Sequence, residues 1–163
     1  MRLDWFDNIG GRKKNVPSRK ERIAVVFDTN ILIANYLGRN PKSAVQKIFG
    51  LWRKQRKLQL IVSNEIVAEY LEILERLSIP LKRINAFSER IEKRLTVTKV
   101  SLGKIPTESR DIDDNFVLAT ALVGKADFLI TNDKDLLDIT ETDKKKFKFR
   151  IVTPSEFLKA IGE

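Results

Sequence analysis

The sequence predicts a three-layer α/β/α sandwich with a central, mainly parallel β-sheet. Short unbroken apolar runs, such as Ile23–Phe27, are typical of strands that are buried on both faces. Helical patterns follow these runs, and a strand–helix alternation predicts a parallel sheet covered by helices. With 163 residues, of which 42% are hydrophobic, the chain is long and apolar enough for one compact domain.

The first 22 residues differ from the rest in composition. Residues 1–22 are polar and basic and are interrupted by Gly10-Gly11 and Pro17, so we expect a basic N-terminal arm. The folded domain is then predicted over residues 23–163.

The first half of this domain reads as two strands and three helices. Asn40 followed by Pro41 is a typical helix start, and Ser63 is placed to cap a helix after the second strand. The predicted elements are strand 23–27, helix 30–37, helix 41–55, strand 58–62 and helix 64–77.

The second half continues the alternation. Ile84, Phe87, Ile91 and Leu95 repeat at helical spacing and predict one buried helix face. The predicted elements are helix 80–95, strand 96–100, loop 103–110, helix 116–123, strand 126–131, helical turn 134–137, basic loop 142–148, strand 149–152 and helix 154–161.

Composition excludes several classes of chemistry. The chain has no Cys and no His, so thiol nucleophiles, zinc–thiolate sites and Ser-His-Asp triads are excluded. Oxygen ligands remain, and these suit hard cations such as Mg2+ and Mn2+. The formal net charge of +9 favours a polyanionic partner, nucleic acid first. No signal peptide or membrane-spanning stretch is visible, so we expect a cytoplasmic protein without a membrane partner.

Four acids follow predicted strands or open the helix after one: Asp28, Glu65, Asp114 and Asp133. In a parallel sheet, the carboxyl ends of all strands lie on one edge, where ligands gather. Taken singly, Asp28 could be a helix cap and Glu65 is explained by the helix dipole. Four carboxylates at one edge repel each other, and one or two divalent cations would relieve that repulsion and activate water.

The motifs that carry these acids resemble the PIN-domain family of Mg2+/Mn2+-dependent ribonucleases, which includes toxins of toxin–antitoxin pairs (VapC-type) and related stand-alone proteins. The resemblance runs from residue 23 to about residue 153. It rests on four segments: Val26-Phe27-Asp28-Thr29-Asn30, Ser63-Asn64-Glu65-Ile66, Arg110-Asp111-Ile112-Asp113-Asp114-Asn115, and the run from Ala126 to Leu137 that contains Thr131-Asn132-Asp133.

The resemblance implies roles for individual residues. Asp28, Glu65, Asp114 and Asp133 would be the catalytic, metal-holding quartet, with Asp113 as an alternative third acid. Asp111 would be an additional metal ligand, and Thr29 and Asn30 would support Asp28 or the metal shell.

The function implied by the resemblance is endoribonuclease activity on RNA. Basic residues near 53–57, 82–83 and 144–148 would hold the RNA backbone. A homodimer and a small antitoxin partner are further expectations from the family. Two alternatives compete with the nuclease: a non-catalytic, RNA-binding PIN-like module, and an aspartate-nucleophile phosphatase. The phosphatase pattern requires an acid two residues after Asp28, where this chain has Asn30, and an amide does not transfer the proton.

Overall fold

The computed structural model describes residues 17–102, 112–139 and 141–163, apart from the side chains of residues 112–115 and 141. Within these residues the chain forms a five-stranded sheet in the order β3-β2-β1-β4-β5. The strands are β1 (Ile23–Phe27), β2 (Leu58–Ser63), β3 (Val97–Val100), β4 (Phe128–Ile130) and β5 (Arg150–Val152).

Eight helices connect and cover these strands in the described part of the chain. They are α1 (Thr29–Leu37), α2 (Ala44–Arg53), α3 (Asn64–Arg76), α4 (Leu81–Lys93), α5 (Ile112–Val123), α6 (Lys134–Leu137), α7 (Glu141–Lys144) and α8 (Pro154–Ile161). Each strand pairs with its neighbours in parallel, with Val25 of β1 aligned with Leu60 of β2 and with Phe128 of β4. The predicted three-layer sandwich is confirmed, and its sheet is parallel throughout these five strands.

The core is centred on β1, the middle strand. Val25, Val26 and Phe27 are fully buried, because both faces of this strand are covered. The Phe27 ring packs against Phe49 and Trp52 of α2, with centroids 4.9 and 6.0 Å away. This packing fixes the direction in which β1 ends and therefore the position of the next residue, Asp28.

The strand order places Asp28 at a topological switch point. From β1, the chain adds β2 and β3 on one side and later adds β4 and β5 on the other. The loops diverge at such a point and leave a crevice at the carboxyl ends of the strands.

The start of α2 differs from the prediction. We expected Asn40 to cap a helix that begins at Pro41, but α2 begins at Ala44 with Ser43 as its N-cap. The Asn40 side chain instead accepts a hydrogen bond from the Lys42 amide at 2.9 Å, which closes a local turn before the helix. The predicted cap was therefore wrong by three residues.

Two predictions in the second half were also wrong. Leu95 is 54% exposed, because α4 ends at Lys93 and Arg94 turns the chain in a left-handed conformation. Residues 142–144, predicted as the start of the basic loop 142–148, belong to the short helix α7. Lys146, two residues after the end of this helix, pairs with Asp143 at 2.9 Å.

The helix that carries Asp113 and Asp114 starts earlier than predicted. We expected it to begin at Phe116, whereas α5 begins at Ile112. Both acids therefore lie in the first turn of the helix and not before it. The side chains of both, and Asp111 altogether, lie outside the described residues.

Most of the predicted arm, residues 1–16, also lies outside the described residues. Its last part contacts the domain: the Arg22 guanidinium donates to the Leu95 carbonyl at 2.7 Å, and Arg19 donates to the Thr98 hydroxyl at 3.1 Å. Across the described ranges, no helix is long and apolar enough to cross a membrane.

Candidate active site

Asp28 is the buried centre of the candidate site. Its backbone N–H continues the β1–β4 pairing by donating to the Ile130 carbonyl at 3.0 Å. The side chain is only 6% exposed and acts as the N-cap of α1. Asp28 thus does cap a helix, as one of its two interpretations predicts. A capping role does not prevent the carboxylate from binding a metal as well.

Three neighbours donate hydrogen bonds to the Asp28 carboxylate. The Thr29 amide reaches Oδ1 at 2.7 Å, and the Thr131 hydroxyl reaches Oδ2 at 2.6 Å. The Asn30 side chain also donates and, like the other two, lowers the pKa of the carboxyl group. Among the described residues, no lysine or arginine forms an ion pair with Asp28.

The pKa of Asp28 is nevertheless raised above its ordinary value. Desolvation by burial is the largest cause and outweighs the donated hydrogen bonds. The nearby charge of Asp133 raises it further. A buried carboxylate in this state is electrostatically costly and would be stabilised by a cation.

Asp133 is joined to Asp28 through Thr131. The Thr131 hydroxyl donates to Asp28 and accepts the Asp133 backbone N–H at 2.9 Å. The Asp133 carboxylate is half-buried and caps α6 by accepting the Asp135 amide at 2.9 Å. The structure thus brings together two of the four predicted acids, one from each side of the switch point.

The second predicted acid, Glu65, is exposed in the first turn of α3 and makes no described contact with Asp28 or Asp133. Glu69, one helical turn later, is the acid of this helix that reaches the site. Its carboxylate accepts the Thr29 hydroxyl at 2.7 Å and is half-buried. Thr29 therefore connects the two acids, since its amide donates to Asp28 and its hydroxyl to Glu69.

Glu69 was not predicted from the sequence, although the pattern contained a signal for it. Four residues of an α-helix advance the side chain by about 40° net around the axis. Ile66, Tyr70 and Leu74 mark the buried face of α3, and Glu69 lies closer to its centre than Glu65 does.

Tyr70 fixes α3 against the end of β1. Its hydroxyl donates to the Phe27 carbonyl, and its ring is fully buried. Burial raises the pKa of Tyr70 well above its ordinary value, and the charges of Asp28 and Glu69 act in the same direction. The phenol therefore stays protonated and serves as a hydrogen-bond donor that holds the site together.

For Asp113 and Asp114 of α5, the structure describes the backbone but not the side chains. Thr120 of α5 contacts the Ser63 hydroxyl at 2.9 Å, which anchors the helix to the end of β2. Because α5 runs back toward the start of β4, its first turn, with Asp113 and Asp114, lies toward the edge where the strands end. The side chains that the structure describes do not by themselves form a cluster of three acids able to hold a metal ion.

Comparison with known proteins identifies the family. The sequence profile of the PIN domain matches residues 24–135, which is more than half of the chain. Solved structures with a similar fold include VapBC2 from Rickettsia felis bound to a DNA fragment from their promoter. That match has a TM-score of 0.53 and 12% identity and covers 80% of this chain and 98% of that chain. No curated protein matches the sequence. On the strength of the profile match, with the fold in agreement, this chain belongs to the PIN-domain family.

Proposed function

We propose that this protein is a metal-dependent endoribonuclease that hydrolyses RNA phosphodiester bonds. The observation that carries the proposal is the buried Asp28 carboxylate at the switch point, joined through Thr131 to Asp133 and through Thr29 to Glu69. PIN domains are generally nucleases, and this arrangement supports the same chemistry in this chain.

The residues present fit a hard divalent cation such as Mg2+ or Mn2+. Every donor at the site is an oxygen, as these ions prefer. The side-chain oxygen of Asn30 is buried and has no hydrogen-bond partner, so it is available to the metal or to a water in its shell. Asp28, Glu69 and Asp133 do not form a metal-holding cluster by themselves, so binding of the ion would draw the Glu69 and Asp133 carboxylates toward Asp28. Asp114 or Asp113 and, as an additional ligand, Asp111 would complete the set. Glu65 remains a predicted ligand that we test against Glu69.

The chain's own residues would position the reaction. When bound, the cation supplies a Lewis acid for the phosphodiester and lowers the pKa of water. Thr29 and Thr131 orient the carboxylates of Glu69 and Asp28, and Asn30 supports Asp28 without acting as a proton donor. The chain has no His, so proton transfer would rest on water, carboxylates, Lys, Tyr or hydroxyl groups.

An RNA cleavage assay tests this function. Single-stranded RNA incubated with the protein should be cleaved internally in Mn2+ or Mg2+ and remain intact in EDTA. Asp28→Asn should slow cleavage by about 100-fold or more, since it removes a metal ligand worth several kcal/mol. Asp127→Asn is the matched control: Asp127 is exposed at the other end of β4 and should affect the rate less than about twofold.

Other outcomes would identify the alternatives. RNA binding without cleavage in any metal would refute the nuclease and favour the non-catalytic module. Release of phosphate from small monoesters, abolished by Asp28→Asn, would favour the phosphatase.

We also infer that the protein acts as the toxin of a toxin–antitoxin pair, with a small antitoxin partner, and forms a homodimer. The similar fold of a VapBC2 complex supports this. Expression of the wild-type chain alone should arrest growth, whereas Asp28→Asn should not. Growth unaffected by an expressed, RNA-cleaving protein would contradict the toxin role, and sedimentation as a monomer would contradict the dimer.

A further inference from the structure

Three arginines from two helices converge on a cluster of aromatic rings at the C-terminal end of α1. Arg53 of α2 lies over the rings of Tyr36, Phe49 and Trp52, with its guanidinium carbon 5.5, 4.7 and 5.7 Å from the centroids. Arg83 shares the Tyr36 ring at 4.7 Å, and Arg90 shares the Trp52 ring at 5.7 Å. Arg53 therefore shares one ring with Arg83 and another ring with Arg90.

The rings hold the guanidinium groups in place and leave most of their donors unused. Arg53 reaches the Tyr36 hydroxyl and Arg83 reaches the Tyr36 carbonyl, each at 3.4 Å, near the limit for a hydrogen bond. A guanidinium carries five N–H donors in a fixed plane. All three arginines line a cavity of about 170 Å3, together with Tyr36, Ala86 and Phe87.

No ion pair neutralises this positive cluster in the described part of the chain. No ion pair recorded there involves Arg53, Arg83 or Arg90. Burial lowers the pKa of Arg53, and the charges of Arg90 and Arg83 add to that effect. Three like charges beside a cavity reduce the stability of the free protein, and an anion in the cavity would remove that cost.

A second cavity of about 290 Å3 adjoins the first and shares Ala86 and Arg90 with it. Its lining adds Arg56 and Lys93, and its one acid, Glu89, is already paired with Lys93 at 2.7 Å. Because Glu89 and Lys93 neutralise each other, Arg56 is the residue that extends the positive charge beyond the three arginines. Two adjoining cavities that both carry arginines suit a chain of phosphates better than an isolated carboxylate.

We propose that Arg53, Arg83 and Arg90 form a phosphate-binding pocket that holds one phosphate group of the RNA substrate away from the catalytic carboxylates. The pocket is defined by its own geometry, whereas the assignment of the phosphate to RNA rests on the proposed function. Tyr36 and Thr29 are seven residues apart on α1, so the pocket lies about 10 Å along the helix axis from the acids. Planar guanidinium groups match phosphate oxygens through paired hydrogen bonds.

Inorganic phosphate is the first probe, added to the full chain in EDTA at constant ionic strength. The arginine side-chain N–H signals of Arg53, Arg83 and Arg90 should shift together and saturate in NMR spectra. Arg83→Gln and Arg90→Gln should each weaken phosphate binding about tenfold, as expected for a charge-assisted hydrogen bond. Arg76→Gln is the control, because Arg76 is an exposed arginine at the end of α3 and lines neither of the two cavities.

Thermal unfolding separates binding from a structural role. Without phosphate, Arg90→Gln should be at least as stable as the wild type, because it relieves repulsion. A destabilised variant with unchanged phosphate affinity would overturn the proposal. So would an acidic peptide that shifts these arginine signals when phosphate does not, since it would assign the pocket to a protein partner.

Single-stranded RNA is the second probe, again in EDTA so that cleavage is blocked. Loss of one phosphate contact should reduce the slope of log affinity against log salt by about 0.7. An unchanged slope in both arginine variants would refute the RNA assignment. Failure of metal-dependent cleavage with phosphate binding intact would refute the proposed function and leave the pocket standing.

Discussion

The two ends of α1 collect opposite charges. At its N-terminus, Asp28, Glu69 and Asp133 are linked by two threonines. At its C-terminus, Arg53 and Arg83 lie over Tyr36, and Arg90 lies over the neighbouring Trp52. At both ends burial disfavours the charged form, since it raises the pKa of Asp28 and lowers that of Arg53. Both ends therefore hold like charges close together, which costs stability and does not help the chain to fold.

The ends differ in how they hold their charges. The acidic end is enclosed and held by hydroxyl and amide donors, and Asp28 is almost inaccessible. The basic end is stacked on aromatic faces and borders a groove, with Arg83 exposed. An enclosed set of oxygens suits a small cation, and an open set of planar donors suits a polyanion. The comparison shows how the two ends of one helix can serve two proposed purposes, metal-dependent cleavage at the N-terminus and substrate binding at the C-terminus.

The largest expected effect concerns which acid of α3 belongs to the acidic end. Glu69→Gln should reduce Mn2+-dependent RNA cleavage by about 100-fold, because it removes a carboxylate at the metal. Glu65→Gln should change the rate less than about threefold, since its side chain is exposed. Rates from a single RNA substrate in saturating Mn2+ measure both. The reverse order would restore Glu65 to the site and remove Glu69.

A paired stability experiment tests whether the two ends are independent. Mn2+ should stabilise the wild type and Arg90→Gln but not Asp28→Asn. Phosphate, added separately, should stabilise the wild type and Asp28→Asn, and should stabilise Arg90→Gln much less. At 100 times the dissociation constant, each ligand should add about 2.7 kcal/mol to the free energy of unfolding. Thermal or urea unfolding with one ligand at a time measures this. Loss of both responses in one variant would show that the ends are coupled.

A smaller effect is expected from Thr131, which orients Asp28 and accepts the Asp133 amide. Thr131→Val keeps the side-chain shape and removes both hydrogen bonds, so Mn2+ affinity should fall about tenfold, as is typical for residues behind metal ligands. Calorimetric titration gives the affinity. Thr98→Val, on the edge strand β3, is the control and should leave Mn2+ binding unchanged. Equal affinities for all three proteins would remove Thr131 from the site.

The smallest effect is a pH-dependent gain in stability. The folded pKa of Asp28 lies above its unfolded value, so the native state binds the proton more tightly and the wild type loses stability as pH rises through this interval. In EDTA, Asp28→Asn should therefore be more stable than the wild type at neutral pH, and the gap should narrow toward acid pH. Urea unfolding at several pH values measures the gap. A gap that widens toward acid pH would mean that Asp28 is stabilised as a free carboxylate.

Local patterns predicted the fold because its determinants are local. All five strands lie at the segments predicted as strands, and Ser63 caps α3 as expected, with its hydroxyl 3.3 Å from the Ile66 amide. The last helix has the predicted bounds, Pro154–Ile161, because Thr153 and Glu156 form a capping box. Asn40 makes the local hydrogen bond to the Lys42 amide that a cap would make, but the chain only turns there, and the helix begins at Ala44 after Ser43.

The site was less predictable because it depends on how helices pack. Glu65 and Glu69 are one turn apart, and the angle of α3 against α1 decides which of them meets Thr29. The same holds for the arginines. Arg53 and Arg83 fell within predicted basic clusters, but Arg90 was not singled out, since only the packing of α4 on Tyr36 and Trp52 joins the three. The third acid, Asp113 or Asp114, remains a prediction.

A crystal structure grown with Mn2+ tests the central claim most directly. Anomalous scattering from the metal should give a peak bounded by Asp28, Glu69 and Asp133, with carboxylate oxygens at about 2.1 Å, as for hard divalent ions. The same map would show whether Asp113 or Asp114 completes the set. A peak held by Glu65 instead of Glu69 would contradict the assignment of α3, and Mn2+ bound elsewhere with none at Asp28 would contradict the metal-dependent nuclease itself.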